Sequence, residues 1–377
     1  MKNILFSLAT LFTINASAGV ITCSNNANSP GQYTSLQVAI DNANANDTIL
    51  VHGSPTSYGS ITLNSKALTL IGAGINKPST EMSQTGGISF NRLSNSLSGS
   101  GCKLIGLKIC VIDFNPSFTG GTQSTQIIEN VTIERCLIDG VAGCSSTYYQ
   151  GLTLHYLNHQ YNNILVKNCI WTGTPFRMAN FPNMGFTMTN FVFENNIFQG
   201  AGFWYMPAIE DLSSLIFKNN FFGNGCAQWN YQGNPATIVN GPYFSNNIFF
   251  GSNGGGLTNA TFNNNLTYSC VDDDLFNSNT NCTGGGNIFG QDPMLVNYPI
   301  TGSNFNYTLD YHLSSSSPAI GTGVAGVDIG VFGGPSSISE VGANPAIPQL
   351  EEITTPLGSD VSKGTNLNVT FKSYKQD

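Results

Sequence analysis

The chain is poor in charge. Only 9% of its 377 residues are Asp, Glu, Lys or Arg, and the arginines are just Arg92, Arg135 and Arg177. A helical bundle needs charged, amphipathic faces, and there is little here to build them from. With 13 basic residues against 21 acidic ones and a net charge of −8, no basic surface is available to neutralise phosphates. That argues against a nucleic-acid or anionic-membrane partner. Long apolar runs are also lacking. The stretch from Ile4 to Ile14 is too short to span a bilayer, and the segment after Gly334 has no room for a membrane barrel.

That early run has another reading. Lys2, the apolar stretch and the small residues Ala16-Ser17-Ala18 form a secretory signal peptide over residues 1–18. The expectation is a secreted, soluble, monomeric protein, extracellular or at the cell surface, with no membrane insertion. No lipid-acceptor cysteine follows the cleavage site, since Cys23 lies too far along. Export permits disulfides among the nine cysteines. The nearest local pairs are Cys102 with Cys110, Cys136 with Cys144, and Cys270 with Cys282. One cysteine is left over, and the connectivity stays open.

What the chain does have is 42 Gly, 24 Phe and 14 Tyr, with much Asn, a composition for short strands and tight turns. It also repeats. The segments 131–140, 164–173, 191–200, 215–224, 242–251 and 260–269 share the form apolar-x-apolar-x-Asn-Asn-apolar-apolar-x-Gly, with a shortened copy at Gly286 to Gly290. The second turn position falls at Cys136, Cys169, Asn196, Asn220, Asn247 and Asn265. Period-2 alternation broken by a two-residue turn describes one coil of a parallel β-solenoid. Stacking would align Phe193, Phe217, Phe244 and Phe262 as an interior column, with the turn asparagines as an amide ladder. Cys136 and Cys169, taking the place of Asn, are expected to be buried rather than bridged.

The ends fit the same reading. Tyr33 to Ala45 has apolar residues at Leu36, Ala39, Ile40 and Ala43, a short amphipathic helix suited to cap a solenoid. Asp47-Thr-Ile-Leu-Val51 then begins a strand. This opening, with Ala67 to Gly74 and the closing segments Ser317 to Gly323 and Asp328 to Gly334, resembles the pectate-lyase-like right-handed parallel β-helix superfamily over roughly residues 30–334. The resemblance implies an all-β, right-handed β-helix over residues 19–334. Residues 335–377 then form a linker and a C-terminal β tail, a cap with a surface-sorting segment as the alternative. The superfold carries lyases, hydrolases, epimerases and non-catalytic binders, so it does not fix an activity.

Candidate chemistry is sparse. A polysaccharide lyase of this superfamily needs carboxylates holding calcium and an Arg or Lys near the abstracted proton. Arg177, in a loop between strands, is the candidate base or substrate clamp; Arg135 sits in a turn and is structural. Asp272, Asp273 and Asp274 form the only dense acidic cluster and the candidate calcium site, against a solvated turn. Glu210 and Asp211 are a possible acid–base pair for glycoside cleavage, although neighbours on a strand point to opposite faces. His155 and His159 have a zinc-like spacing only if helical and lack a third ligand. The motif set of polygalacturonase-type hydrolases is missing. Trp171, Trp204, Tyr205, Trp229 and Tyr231 fall beside the repeat strands, where aromatic faces could stack on sugar rings. The expected function is binding, or cleavage by β-elimination, of an extracellular polysaccharide. The alternative is a non-catalytic adhesion or structural rod.

Overall fold

The computed structural model describes residues 18–64, 66–91, 100–114, 127–139, 151–154, 160–172, 187–199, 211–223, 234–251, 255–301, 304–337 and 340–342. In strands 176–177, 203–207, 229–232, 348–354 and 370–375, and at residue 91, it describes the backbone alone. The signal-peptide residues before Ala18, Glu210, His155 and His159 lie outside the described residues, as does Arg92.

Parallel strands stack in three columns, a β-helix-like solenoid. The first sheet has 11 strands, beginning at Val20–Cys23 and ending at Thr283–Gly285. Its middle members are Ile127–Glu134, Gln160–Lys167, Thr187–Glu194, Leu215–Lys218, Tyr243–Ser245 and Thr261–Asn263. The second sheet has 10 strands, among them Leu137–Ile138, Ile170–Thr172, Ile197–Gln199, Phe221–Gly223, Ile248–Phe250 and Leu266–Tyr268. A third, of three strands, comprises Phe176–Arg177, Phe203–Pro207 and Trp229–Gln232.

The register follows the repeat. Phe193, Phe217, Phe244 and Phe262 are partners in successive strands, their ring centroids 4.9, 4.9 and 5.1 Å apart. Phe198, Phe222 and Phe249 form a second column at 5.0 and 4.9 Å. Both columns are buried in the main core, and the spacing is that of adjacent strands, about 4.8 Å.

The two-residue corner divides its labour. Its first residue is left-handed, with φ near 54° at Asn168, Asn195 and Asn219 and 53° at Arg135, a conformation Asn tolerates better than most side chains. Its second residue builds the ladder. The Oδ1 of Asn220 accepts from the backbone N–H and the Nδ2 of Asn196 at 2.9 and 3.0 Å, while its Nδ2 donates to the Phe193 carbonyl at 3.0 Å. Asn247 and Asn265 repeat the pattern, and Asn287 continues it one coil further. At the other end the Cys169 sulfur takes over as acceptor for the Cys136 N–H.

The left-handed asparagines face outward onto the chain's return. Asn264 donates to the Thr322 carbonyl, Asn219 to Asp328, Asn195 to Val331 and Gly333, and Asn168 to Ser336, at 2.7–3.2 Å. Residues 322–336 therefore run back along the corner against the order of the coils. The returning segment and the stretch before it cover the outer face of the second sheet, where Tyr311, Ile329 and Val331 pack on Ile197, Phe221, Ile248 and Leu266. This explains why the second-sheet strands are buried on both faces.

At the other end, helix Leu36–Asn42 starts at Ser35, whose hydroxyl accepts from the Val38 N–H, and buries Leu36, Ala39 and Ile40. Strands Pro348–Thr354 and Thr370–Lys375 form an antiparallel hairpin.

The local disulfides do not form. Cys102, Cys136, Cys270 and Cys282 are free thiols, as are Cys23 and Cys169. Parallel stacking points Cys136 and Cys169 into the core, each as a small apolar group. Cys110 is disulfide-bonded.

Candidate functional site

Two lateral surfaces are candidates for a functional site. The first is the three-stranded sheet, which gathers five of the candidate residues at the level of the backbone. Arg177 is the register partner of Trp204. Trp229 pairs with Phe203 and Tyr231 with Met206, with a register shift between the two pairs. Tyr205 lies inside that shifted stretch. Residues from three successive coils are thus placed on one narrow strip, since a strand after each second-sheet corner stacks on its counterpart in the next coil. Strand Gly151–Leu154 lies against its first strand.

Trp171 does not belong to that strip. It is 1% exposed, at the head of the Phe198 column with centroids 5.7 Å apart, so its ring is core packing and offers no face to a ligand. Sequence order misleads here because Trp171 falls on the inward position of strand Ile170–Thr172, in register with Phe198.

Asp211 is exposed and is a backbone bridge partner of Asn240. Its Oδ1 accepts from the Ser213 hydroxyl and N–H at 2.6 and 2.8 Å, and these bonds hold its carboxyl below the usual range. A general acid in glycoside cleavage needs the opposite shift. Asp211 is a turn-forming carboxylate in this fold, and Glu210, its neighbour in the expected pair, lies outside the described residues.

The acidic triplet is likewise committed to its own loop. Asp272 accepts from the Asp274 N–H, Asp273 from the Cys270 N–H and Asp274 from the Phe276 N–H, at 2.9–3.0 Å. The carboxylates cap three separate backbone groups instead of converging. Among the described residues no group of three His, Cys, Asp or Glu side chains could hold a metal ion, and what the structure gives Asp272 to Asp274 is a set of turn caps.

The second surface is a groove of about 430 Å³ on the outer face of the first sheet, within the usual size range of ligand clefts. One rim is a second amide ladder. Asn163 Nδ2 donates to Asn130 Oδ1 at 3.1 Å, and Asn190 Nδ2 to Asn163 Oδ1 at 3.2 Å. All three are exposed and left-handed, with φ of 57°, 53° and 53°. The floor is the outward position of the strands, where Thr132, Leu165 and Val192 are register partners. The far rim is the next outward row, in which Glu134, Lys167, Glu194 and Lys218 alternate in sign. Lys167 lies 3.4 Å from Glu134 and Lys218 lies 3.0 Å from Glu194. Ser336 also donates to Glu194 at 2.9 Å.

Composition and spacing did not single out this groove, yet its signals are in the repeat. An Asn precedes the first apolar residue in three consecutive copies, Asn130-Val131, Asn163-Ile164 and Asn190-Phe191, and the fourth position alternates Glu, Lys, Glu, Lys.

No protein family's sequence profile matches the chain, and no curated protein is similar to it. Among the described residues no helix is long and apolar enough to cross a membrane.

Proposed function

We propose that this is a secreted right-handed β-helix protein of pectate-lyase-like type that binds an extracellular polysaccharide along its side, with helix Leu36–Asn42 closing its N-terminal end. Parallel crossover connections are right-handed in nearly all proteins, which supports the handedness. The observation that carries the function is the placing of Arg177, Trp204, Tyr205, Trp229 and Tyr231 on three stacked strands. Aromatic residues on two successive coils suit a ligand that itself repeats, and a single cation in line with them can steer a substrate without chemistry of its own. Binding is favoured over β-elimination because the carboxylates expected to hold calcium cap their own loop instead.

The test is affinity gel electrophoresis of the full chain through a panel of neutral and uronate polysaccharides, together with the Trp204→Ala/Trp229→Ala variant. Retention of the wild type by at least one polymer, weakened in the variant, is expected. No retention by any polymer would leave the adhesion or structural rod as the better account. In parallel, calcium and uronate polymers are added and unsaturated products followed by absorbance; their appearance would restore the lyase.

A further inference from the structure

We propose that the groove on the outer face of the first sheet is a subsite for a neutral, hydroxyl-rich stretch of glycan lying along the solenoid axis. The inference rests on the polysaccharide reading and sharpens it, because it names a second surface and the charge class of what binds there.

The argument begins with unspent hydrogen-bonding capacity. A primary amide offers two N–H donors and an oxygen with two acceptor sites. Within the ladder Asn163 uses one N–H on Asn130 and one acceptor site on Asn190. Its second N–H and second acceptor site are left for solvent or ligand, and the residue is exposed. The ladder also fixes the three amides in one orientation, so the remaining groups repeat coil by coil at about 4.8 Å. A run of hydroxyl groups, each both donor and acceptor, matches such a row. Beside it Thr132, Leu165 and Val192 give a mostly apolar floor that can receive the C–H face of a sugar ring.

Charge decides the class. Among the groove's lining residues the only ionisable ones are Glu194 and Lys218, and they are paired with each other at 3.0 Å. The rim continues through Glu134 and Lys167, also paired. Arg135 lies 3.5 Å from Glu134 and is buried. The nearest cation in line with the floor is Lys103, the register partner of Thr132 one coil beyond the lined stretch. A polyuronate would bring one carboxylate per sugar and find no row of cations to meet them, at a desolvation cost. A neutral chain meets no such cost.

The test uses the full chain and isothermal titration with a neutral oligosaccharide panel (gluco-, xylo- and manno-configured) and an oligogalacturonate of equal length. Two variants address the groove. Asn130→Gly/Asn163→Gly/Asn190→Gly removes the amides while suiting a positive φ, and Leu165→Glu places an unpaired charge on the floor. The expected result is that a neutral oligosaccharide binds, with affinity falling roughly tenfold or more in each variant. Circular dichroism melting should show both variants still folded. If the oligogalacturonate binds more tightly, and through the same residues, the charge class is wrong while the polysaccharide reading stands. If ligands bind but neither variant matters, the groove is wrong and the aromatic strip alone is the site. If nothing binds, both this inference and the proposed function fail.

Discussion

Asn220 shows how one side chain can hold two coils together. Its carbonyl oxygen accepts from the coil before and its amide donates onto the Phe193 carbonyl, all fully buried. Asn220→Ala orphans the Asn196 N–H and the Phe193 carbonyl, and should cost about 3 kcal/mol in chemical denaturation. Asn220→Cys should cost less, because Cys169 already fills the same position as an acceptor for its neighbour. Asp47 is a second such point. The Gly19 and Asn44 N–H groups, at 2.6 and 2.7 Å, hold its carboxyl below the usual range. A folded value below the unfolded one means stability present at neutral pH and lost as pH falls through the folded value. The melting difference between wild type and Asp47→Ala should therefore be full near neutrality and shrink below about pH 4. A difference constant with pH would contradict it. Burial pushes the Cys23 and Cys102 thiols up to about 11, so in the folded protein both should react slowly with a thiol reagent at pH 8, and more slowly than partly exposed Cys270. At this scale the turn ladder and the phenylalanine column were legible, because each residue type recurs where stacking requires it. Trp171 was not, since one aromatic beside a repeat strand looks the same whether it points in or out.

The second-sheet strands illustrate what an element reveals by itself. Ile197-Phe198, Phe221-Phe222 and Ile248-Phe249-Phe250 are apolar without alternation, the mark of a strand covered on both sides. The inner cover was legible in the repeat. The outer cover was not, because residues 295–342 carry no repeat and are held largely by side-chain bonds to backbone carbonyls, which no residue pattern encodes. A chain ending at Gly290 should expose Phe221, Ile248, Phe250 and Leu266, bind a hydrophobic dye and aggregate. One ending at Gly342 should keep the wild-type solenoid melting transition. Asn219→Gly retains the left-handed corner yet loses the bonds to Asp328 and Gly330. It should therefore loosen the return segment, seen as faster proteolysis there, with the coils intact.

For the whole molecule, low charge and lateral repetition belong together. A stack with few charges has its ionic groups paired across coils, as at Glu134 with Lys167 and Glu194 with Lys218, and the outer face of its first sheet presents amides and an apolar floor instead. The account's central claim is that a polysaccharide lies along that lateral surface. Hydrogen–deuterium exchange of the full chain with and without a retained polymer tests it most directly. The account predicts slower exchange at residues 160–165 and 187–192 beside the groove and at 203–207 in the third sheet. Protection confined to the C-terminal hairpin, or found nowhere with polymer present at saturation, would contradict it.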